Sequence, residues 1–119
     1  MKLTDTAIAI AKKVKLLILD VDGVLTDGGI YFDDSGNEFK RFNSLDGHGI
    51  KMLLESGIEV GVISARNASA VTHRMKALGV RHLYQNQANK NEALYQDLRR
   101  CTATHQKHRS LCSSRNANR

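Results

Sequence analysis

The chain has 119 residues, enough for one domain and no more, with 41% hydrophobic and 25% charged residues, no Pro and no Trp. Its net charge is +6, but residues 1–98 balance 12 Lys and Arg against 12 Asp and Glu, so the excess lies in Arg99, Arg100, Lys107, Arg109, Arg115 and Arg119. That distribution argues against a basic nucleic-acid-binding face on the folded part, and no apolar stretch is long enough to span a membrane.

In chain order, residues 4–13 predict a short helix of small apolar residues behind a Thr4 cap. Its apolar run, Ala7–Ala11, is too short for a secretion signal and leads into Lys12 and Lys13, so the expectation is a cytoplasmic protein with reduced thiols. Leu16-Leu17-Ile18-Leu19 is a continuous apolar run ending at an acid, the pattern of a strand buried on both faces of a parallel sheet. Ile30-Tyr31-Phe32 and Glu38-Phe39-Lys40-Arg41-Phe42 flank the turn cluster Asp33-Asp34-Ser35-Gly36-Asn37 and predict a β-hairpin. Ile50, Leu53 and Leu54 mark a helix stopped by Gly57, and Ile58–Ile63 is a second strand bounded by Ser64. Ala70, Val71, Met75 and Leu78 mark a further helix closed by Gly79, followed by a third strand over Val80–Tyr84. Asn89, with Glu92 three residues on, resembles a capping box for a last helix through Leu98. Strands alternating with helices predict an α/β fold with right-handed crossovers. After Leu98 no apolar period continues, which predicts a folded unit over 1–98 and a basic, disordered tail over 99–119.

The strongest chemical signal is Asp20-Val21-Asp22-Gly23-Val24-Leu25-Thr26, directly after the first strand. Ligands of open α/β sheets sit beyond the carboxyl ends of the strands. The period of two in extended chain lets Asp20 and Asp22 point to one side, and Gly23 lets the chain turn away. Two carboxylates held close repel each other, and a divalent cation relieves the repulsion. An EF-hand calcium loop does not fit: its sixth and twelfth positions require Gly and Glu, and counting from Asp20 gives Leu25 and Tyr31. A plain solvated turn is the other reading.

Asp-x-Asp-Gly-x-x-Thr after an apolar strand resembles the first motif of the haloacid dehalogenase superfamily. Asp27-Gly28-Gly29-Ile30-Tyr31, the hairpin, and Phe42-Asn43-Ser44-Leu45-Asp46-Gly47-His48-Gly49-Ile50 resemble a narrower group, the capless 3-deoxy-D-manno-octulosonate 8-phosphate phosphatases. The resemblance runs from about residue 12 to about residue 98. It implies a Rossmann-like three-layer sandwich, capless, with a β-hairpin flap. It also implies Asp20 as the nucleophile that forms an aspartyl-phosphate. Asp22 would protonate the leaving sugar oxygen and then activate water. Magnesium (Mg2+) would be held by the Asp20 carboxylate and the Asp22 backbone carbonyl.

Ser64, in Val62-Ile63-Ser64-Ala65-Arg66, matches the second motif, whose hydroxyl holds a phosphate oxygen; read alone, it is a helix cap. Lys90, in Gln85-Asn86-Gln87-Ala88-Asn89-Lys90, matches the third motif, which neutralises the phosphoryl group and the nucleophile. Read alone, it is a solvated Lys set against the helix dipole. Arg66 and Arg74 match substrate positions, their paired donors suiting a carboxylate or phosphate; the plain reading is a solvated helix face. Asn43, Ser44, Leu45, Asp46, Gly47 and Lys51 align with the sugar-binding loop, Leu45 standing where some members carry Arg. The implied partners are a phosphosugar substrate and further copies of the chain in a homotetramer, with no nucleic acid and no membrane.

The family's fourth motif, Gly-Asp-Asp followed shortly by another Asp, does not occur after Lys90; the acids there are Glu92 and Asp97, both on the predicted helix. Without that carboxylate, magnesium is expected to bind weakly. Without the strand that carries it, Leu16–Leu19 is expected to be an unpaired apolar edge. The expectation is thus a partial domain, missing its C-terminal strands and impaired in hydrolysis, with an out-of-frame tail suggested by the abrupt change in charge, cysteine use and periodicity. Two other readings stay open. Cys101, His105, His108 and Cys112 are zinc ligand types without the spacing of a standard finger, and with the arginines they suggest a zinc or nucleic-acid-binding tail. Alternatively, the fold persists as a binding or assembly protein without catalysis.

Overall fold

The computed structural model describes residues 3–100. The chain forms helix α1 (Asp5–Ala11), strand β1 (Leu16–Leu19), hairpin strands β2 (Tyr31–Phe32) and β3 (Glu38–Phe39), and helix α2 (Ser44–Glu55). Then come β4 (Glu59–Ile63), α3 (Ser69–Leu78), β5 (His82–Tyr84) and a helix α4 over 90–100. The readings placed on Cys101, His105, His108 and Cys112 lie outside the described residues, and α4 runs on through Arg99 and Arg100. Among the described residues, no helix is long and apolar enough to cross a membrane.

Strands β1, β4 and β5 make a parallel sheet in the order β1-β4-β5, with Leu17 opposite Val60 and Val62 opposite Leu83. Successive side chains of a strand point to opposite faces. On one face Val60 and Val62 pack with Val21, Ile50, Val71, Met75 and Leu78, from the loop after β1, α2 and α3. On the other, Ile63 packs with Ile18, Tyr84, and Ala93 and Leu94 of α4. Helices cover both faces, so the α/β sandwich is three-layered, as the resemblance implied. Val60, Val62 and Val71 are fully buried, each such side chain contributing about 1.5–3 kcal/mol.

Strand β4 is buried from Val60 to Ile63, whereas all four residues of β1 are only half-buried. The expectation of a first strand buried on both faces is corrected. Among the described residues β1 has β4 as its one strand neighbour, and its other edge is open.

The helix signals act where the sequence puts them. The Thr4 hydroxyl accepts the Ala7 N–H at 3.1 Å, and Asn89 Oδ1 accepts those of Asn91 and Glu92 at 3.1 and 3.3 Å. Gly79 closes α3 at φ 83°, and the Val80 N–H then donates back to Met75 O at 3.0 Å. That closure is why the third strand starts at His82 and not at Val80. The hairpin is shorter than its sequence pattern: Tyr31 pairs with Phe39 and Phe32 with Glu38, while Phe42 bridges to Thr26.

Candidate active site

Strand β1 delivers Asp20 to the carboxyl end of the sheet. Its Oδ1 accepts the Val21 N–H at 2.8 Å and pairs with Lys90 Nζ, at the start of α4, at 3.1 Å. Both side chains remain nearly half exposed, so a ligand can reach the pair. Because β1 ends at Leu19, strand alternation does not place Asp22. A turn does: the carbonyl of the buried Val21 accepts the N–H groups of Val24, Leu25 and Thr26 at 3.2, 2.9 and 3.2 Å. Gly23 lies within that turn at φ +80°, where a Cβ is strained. The Thr26 hydroxyl accepts the N–H groups of Gly23 and Gly28, each at 3.2 Å, and closes the loop.

The Asp22 side chain meets a residue that sequence reasoning passed over. Lys40 Nζ donates to Asp22 Oδ1 at 2.6 Å and to Glu38 Oε1 at 3.3 Å, and only 4% of the Lys40 side chain is exposed. Burial pulls the Lys40 ammonium down, but hydrogen bonds and charge attraction from Asp22 and Glu38 outweigh it and hold it above its ordinary 10.5. Glu38 in turn pairs with Arg66 Nη2, at 3.0 Å from Oε1 and 3.1 Å from Oε2. The available signal was slight: a lysine placed between the aromatics Phe39 and Phe42 of a hairpin arm.

Ser64 is buried just beyond β4. Its N–H donates to Tyr84 O at 2.8 Å, its carbonyl accepts the Gln87 N–H at 3.0 Å, and its hydroxyl accepts the Arg66 N–H at 3.2 Å. The helix-cap reading of Ser64 is corrected: α3 is capped at Ala68, whose N–H donates to Gln85 Oε1 at 2.9 Å. Arg74 is likewise not on a solvated face. It is half-buried against Gly47, where any Cβ would collide with the guanidinium.

The residues expected to form a sugar-binding loop form the cap and first two turns of α2. Asn43 Oδ1 accepts the Leu45 N–H at 2.8 Å, Leu45 and Lys51 are exposed, and Gly47 is buried. Asn43, Ser44 and Asp46 line an open cleft of about 420 Å³ with Thr26, Asp27 and Arg41. In the same loop Asp27 accepts the Tyr31 hydroxyl and the Gly29 N–H, which holds its carboxyl below the ordinary 3.8 and lifts the Tyr31 phenol above 10.0. The structure thus brings together Asp20 with Lys90, Asp22 with Lys40, and Glu38 with Arg66. Asn43, Ser44 and Asp46 gather in the cleft, whose wall the loop after β1 shares through Val24, Leu25, Thr26 and Asp27.

No family model matches the chain. The 3-deoxy-D-manno-octulosonate 8-phosphate phosphatase of Escherichia coli K12 is 54% identical over 83 residues, which are 70% of this chain and 44% of that protein. The solved phosphatase of the same description from Yersinia pestis superposes with a TM-score of 0.78 at 43% identity, covering 87% of this chain and 54% of that one. Over most of its length the chain is similar to these 3-deoxy-D-manno-octulosonate 8-phosphate phosphatases, and its fold is that of the haloacid dehalogenase superfamily. A further member of this phosphatase family, from Moraxella catarrhalis, was solved in complex with a magnesium ion, a phosphate ion and KDO. It superposes with a TM-score of 0.73 at 40% identity, over 76% of this chain and 52% of that one. The chain spans about half the length of the family's phosphatases that it matches.

Proposed function

We propose that this chain carries the phosphate-handling part of a phosphomonoester hydrolase acting on 3-deoxy-D-manno-octulosonate 8-phosphate. The observation that carries the reading is the Lys90–Asp20 pair, which unites the third and first motifs at the carboxyl end of β1 with Nζ 3.1 Å from Oδ1. A cation on the nucleophile's carboxylate balances the charge that an incoming phosphate adds.

On this reading the Asp20 carboxylate attacks phosphorus, forming an Asp–O–P bond as the bond from phosphorus to the sugar oxygen breaks. Asp22 gives that oxygen its proton. The Asp22 carboxylate then takes a proton from water, whose oxygen attacks phosphorus, releasing phosphate and restoring Asp20. Lys90 and the Ser64 hydroxyl hold phosphate oxygens, and Arg66, Arg74 and the cleft residues Asn43, Ser44 and Asp46 serve the sugar acid. The KDO in the Moraxella relative supports that substrate class.

The donor chemistry fits a divalent cation. Asp20 offers a half-exposed carboxylate, and the Asp22 carbonyl follows two residues on in the same turn. Magnesium uses one or two carboxylates, substrate phosphate and retained waters. When bound there it supplies neutralisation of the charge shared by phosphate and nucleophile. Among the described residues no cluster of three acidic, His or Cys groups is poised for a metal, so we expect weak affinity and slow turnover. A cytoplasmic homotetramer completes the reading, and Ile30, Phe32 and Phe39 leave an apolar, exposed hairpin surface that suits a neighbouring copy.

Phosphate release from 3-deoxy-D-manno-octulosonate 8-phosphate, titrated with magnesium, tests the proposal. The expected result is metal-dependent release that Asp20→Asn abolishes. Undiminished turnover in Asp20→Asn overturns the mechanism.

A further inference from the structure

The hairpin reaches the candidate site through a continuous ion network that the roles above do not require. It runs from Asp22 Oδ1 to Lys40 Nζ at 2.6 Å, on to Glu38 Oε1 at 3.3 Å, and from Glu38 Oε1 to Arg66 Nη2 at 3.0 Å. The network therefore ties the loop after β1 to the loop after β4 by way of the hairpin.

Two features separate Lys40 from a surface lysine. Its side chain is 4% exposed, while its partners Asp22 and Glu38 keep 33% and 31%. It also follows directly on β3, a strand of two residues, and a hairpin this short does not hold its own position. A buried ammonium is strongly disfavoured without its counter-charges, so Lys40 fixes the hairpin arm and the Asp22 carboxylate against each other.

We propose that Lys40 is a positioning residue for Asp22. By occupying Oδ1 it sets the carboxylate rotamer and leaves Oδ2 to face the leaving-group oxygen, while the Glu38–Arg66 pair braces the hairpin that carries it. What Asp22 does rests on the phosphatase reading; what Lys40 does to Asp22 rests on geometry alone. A sugar alkoxide is a poor leaving group and needs the proton that Asp22 supplies, whereas a nitrophenolate departs without one. A misplaced Asp22 therefore penalises an alkyl phosphate and largely spares an aryl phosphate.

The test compares the native full chain with Lys40→Met, Lys40→Arg and Glu38→Gln. In Lys40→Met, amide hydrogen exchange over residues 22–26 should rise about tenfold with α2 and α3 unchanged, and Lys40→Arg should restore most of the protection. Native exchange over 22–26 in Lys40→Met overturns the proposal, and so does a rise spread evenly through α3, which marks general unfolding. If Lys40→Met does not fold, Glu38→Gln decides: exchange over 31–39 should rise, and no rise there overturns the bracing. In turnover, Lys40→Met should lose about tenfold more on an alkyl phosphomonoester than on p-nitrophenyl phosphate, with KM little changed. Equal losses overturn it. If the native chain hydrolyses neither ester, the phosphatase reading fails, and the exchange experiment still decides the role of Lys40.

Discussion

Helix α4 carries a polar side-chain pair at its start and another further along, and the two are built differently. At its start, Lys90 meets Asp20 with both side chains about half in water. Further along, Asp97 is completely buried, with Oδ1 2.8 Å from His82 Nδ1 and accepting the Tyr84 hydroxyl at 3.3 Å; His82 Nε2 is 3.3 Å from Glu59. Exposed pairs add little to stability because water screens them and long side chains lose entropy. Buried pairs are costly to assemble and costlier still to break on one side. The comparison assigns the two ends separate duties: the Asp97 end fastens α4 to the sheet, and the Lys90 end is left free to exchange partners.

The largest effect should come from breaking the buried end. His82→Ala leaves the Asp97 carboxylate buried with Tyr84 as its remaining partner in this network. It should lower unfolding free energy by about 3 kcal/mol, the low end of the range for a broken buried pair, read from the denaturant midpoint. Replacing His82 and Asp97 together by Leu should recover stability to within about 1 kcal/mol of native, since neither polar partner is then left buried without the other. A double variant no better than His82→Ala would show that the pair is not what fastens α4.

Next in size is Gly61→Ala. A Cβ at Gly61 would stand 2.6 Å from Asp97 Oδ2 and 2.7 Å from Ile18 Cδ1, so α4 or β1 must shift to admit it. Overpacking of this kind costs about 1–3 kcal/mol. Combined with Asp97→Ala, which removes one of the two colliding atoms, the cost should shrink; full additivity in denaturant unfolding would mean that Ile18 alone sets it.

The exposed end should respond the other way. Lys90→Met should change stability by less than about 0.5 kcal/mol while removing most phosphate release, because the lost charge matters only when phosphate arrives. A large stability loss there would erase the contrast between the two ends.

The sequence makes one end of α4 far more legible than the other. An apolar run ending at Asp20, and Asn89 followed by Lys90, are local signals, and the order of strands and helices brings them to one edge of the sheet. Asp97 carries no such signal. An acid on an amphipathic helix reads as solvent-facing, and only the pairing of β4 with β5 puts Gly61 beside His82 and opens space for it. Lys40 was opaque for the same reason: its partner Asp22 lies 18 positions away, across a loop with no periodicity. Ser64 reads as a cap because a Ser after a strand usually precedes a helix directly; here α3 starts only at Ser69.

The smallest expected effect concerns a carboxylate that is exposed yet still fully engaged, Asp33 in the hairpin turn. It accepts the N–H groups of Ser35 at 2.9 Å and Asn37 at 2.8 Å, and the Asn37 side-chain amide at 2.8 Å. These bonds, with the Asn37 side chain foremost, hold its carboxyl below the ordinary 3.8. The sign follows: a depressed value means that the ionised form is favoured in the folded turn. The turn's extra stability is therefore complete above pH 3.8 and is lost as pH falls through the lower, folded-state value. Hydrogen exchange at Asn37 should quicken over that acid window in the native chain and be fast throughout in Asp33→Ala, with α4 unaffected in both. Because the turn carries the hairpin, and the hairpin carries Lys40, acid loosening at Asp33 that spread to residues 22–26 would show that the two ends of the hairpin move as one body. Loosening confined to 33–37 would show that the Lys40 network holds the arm by itself.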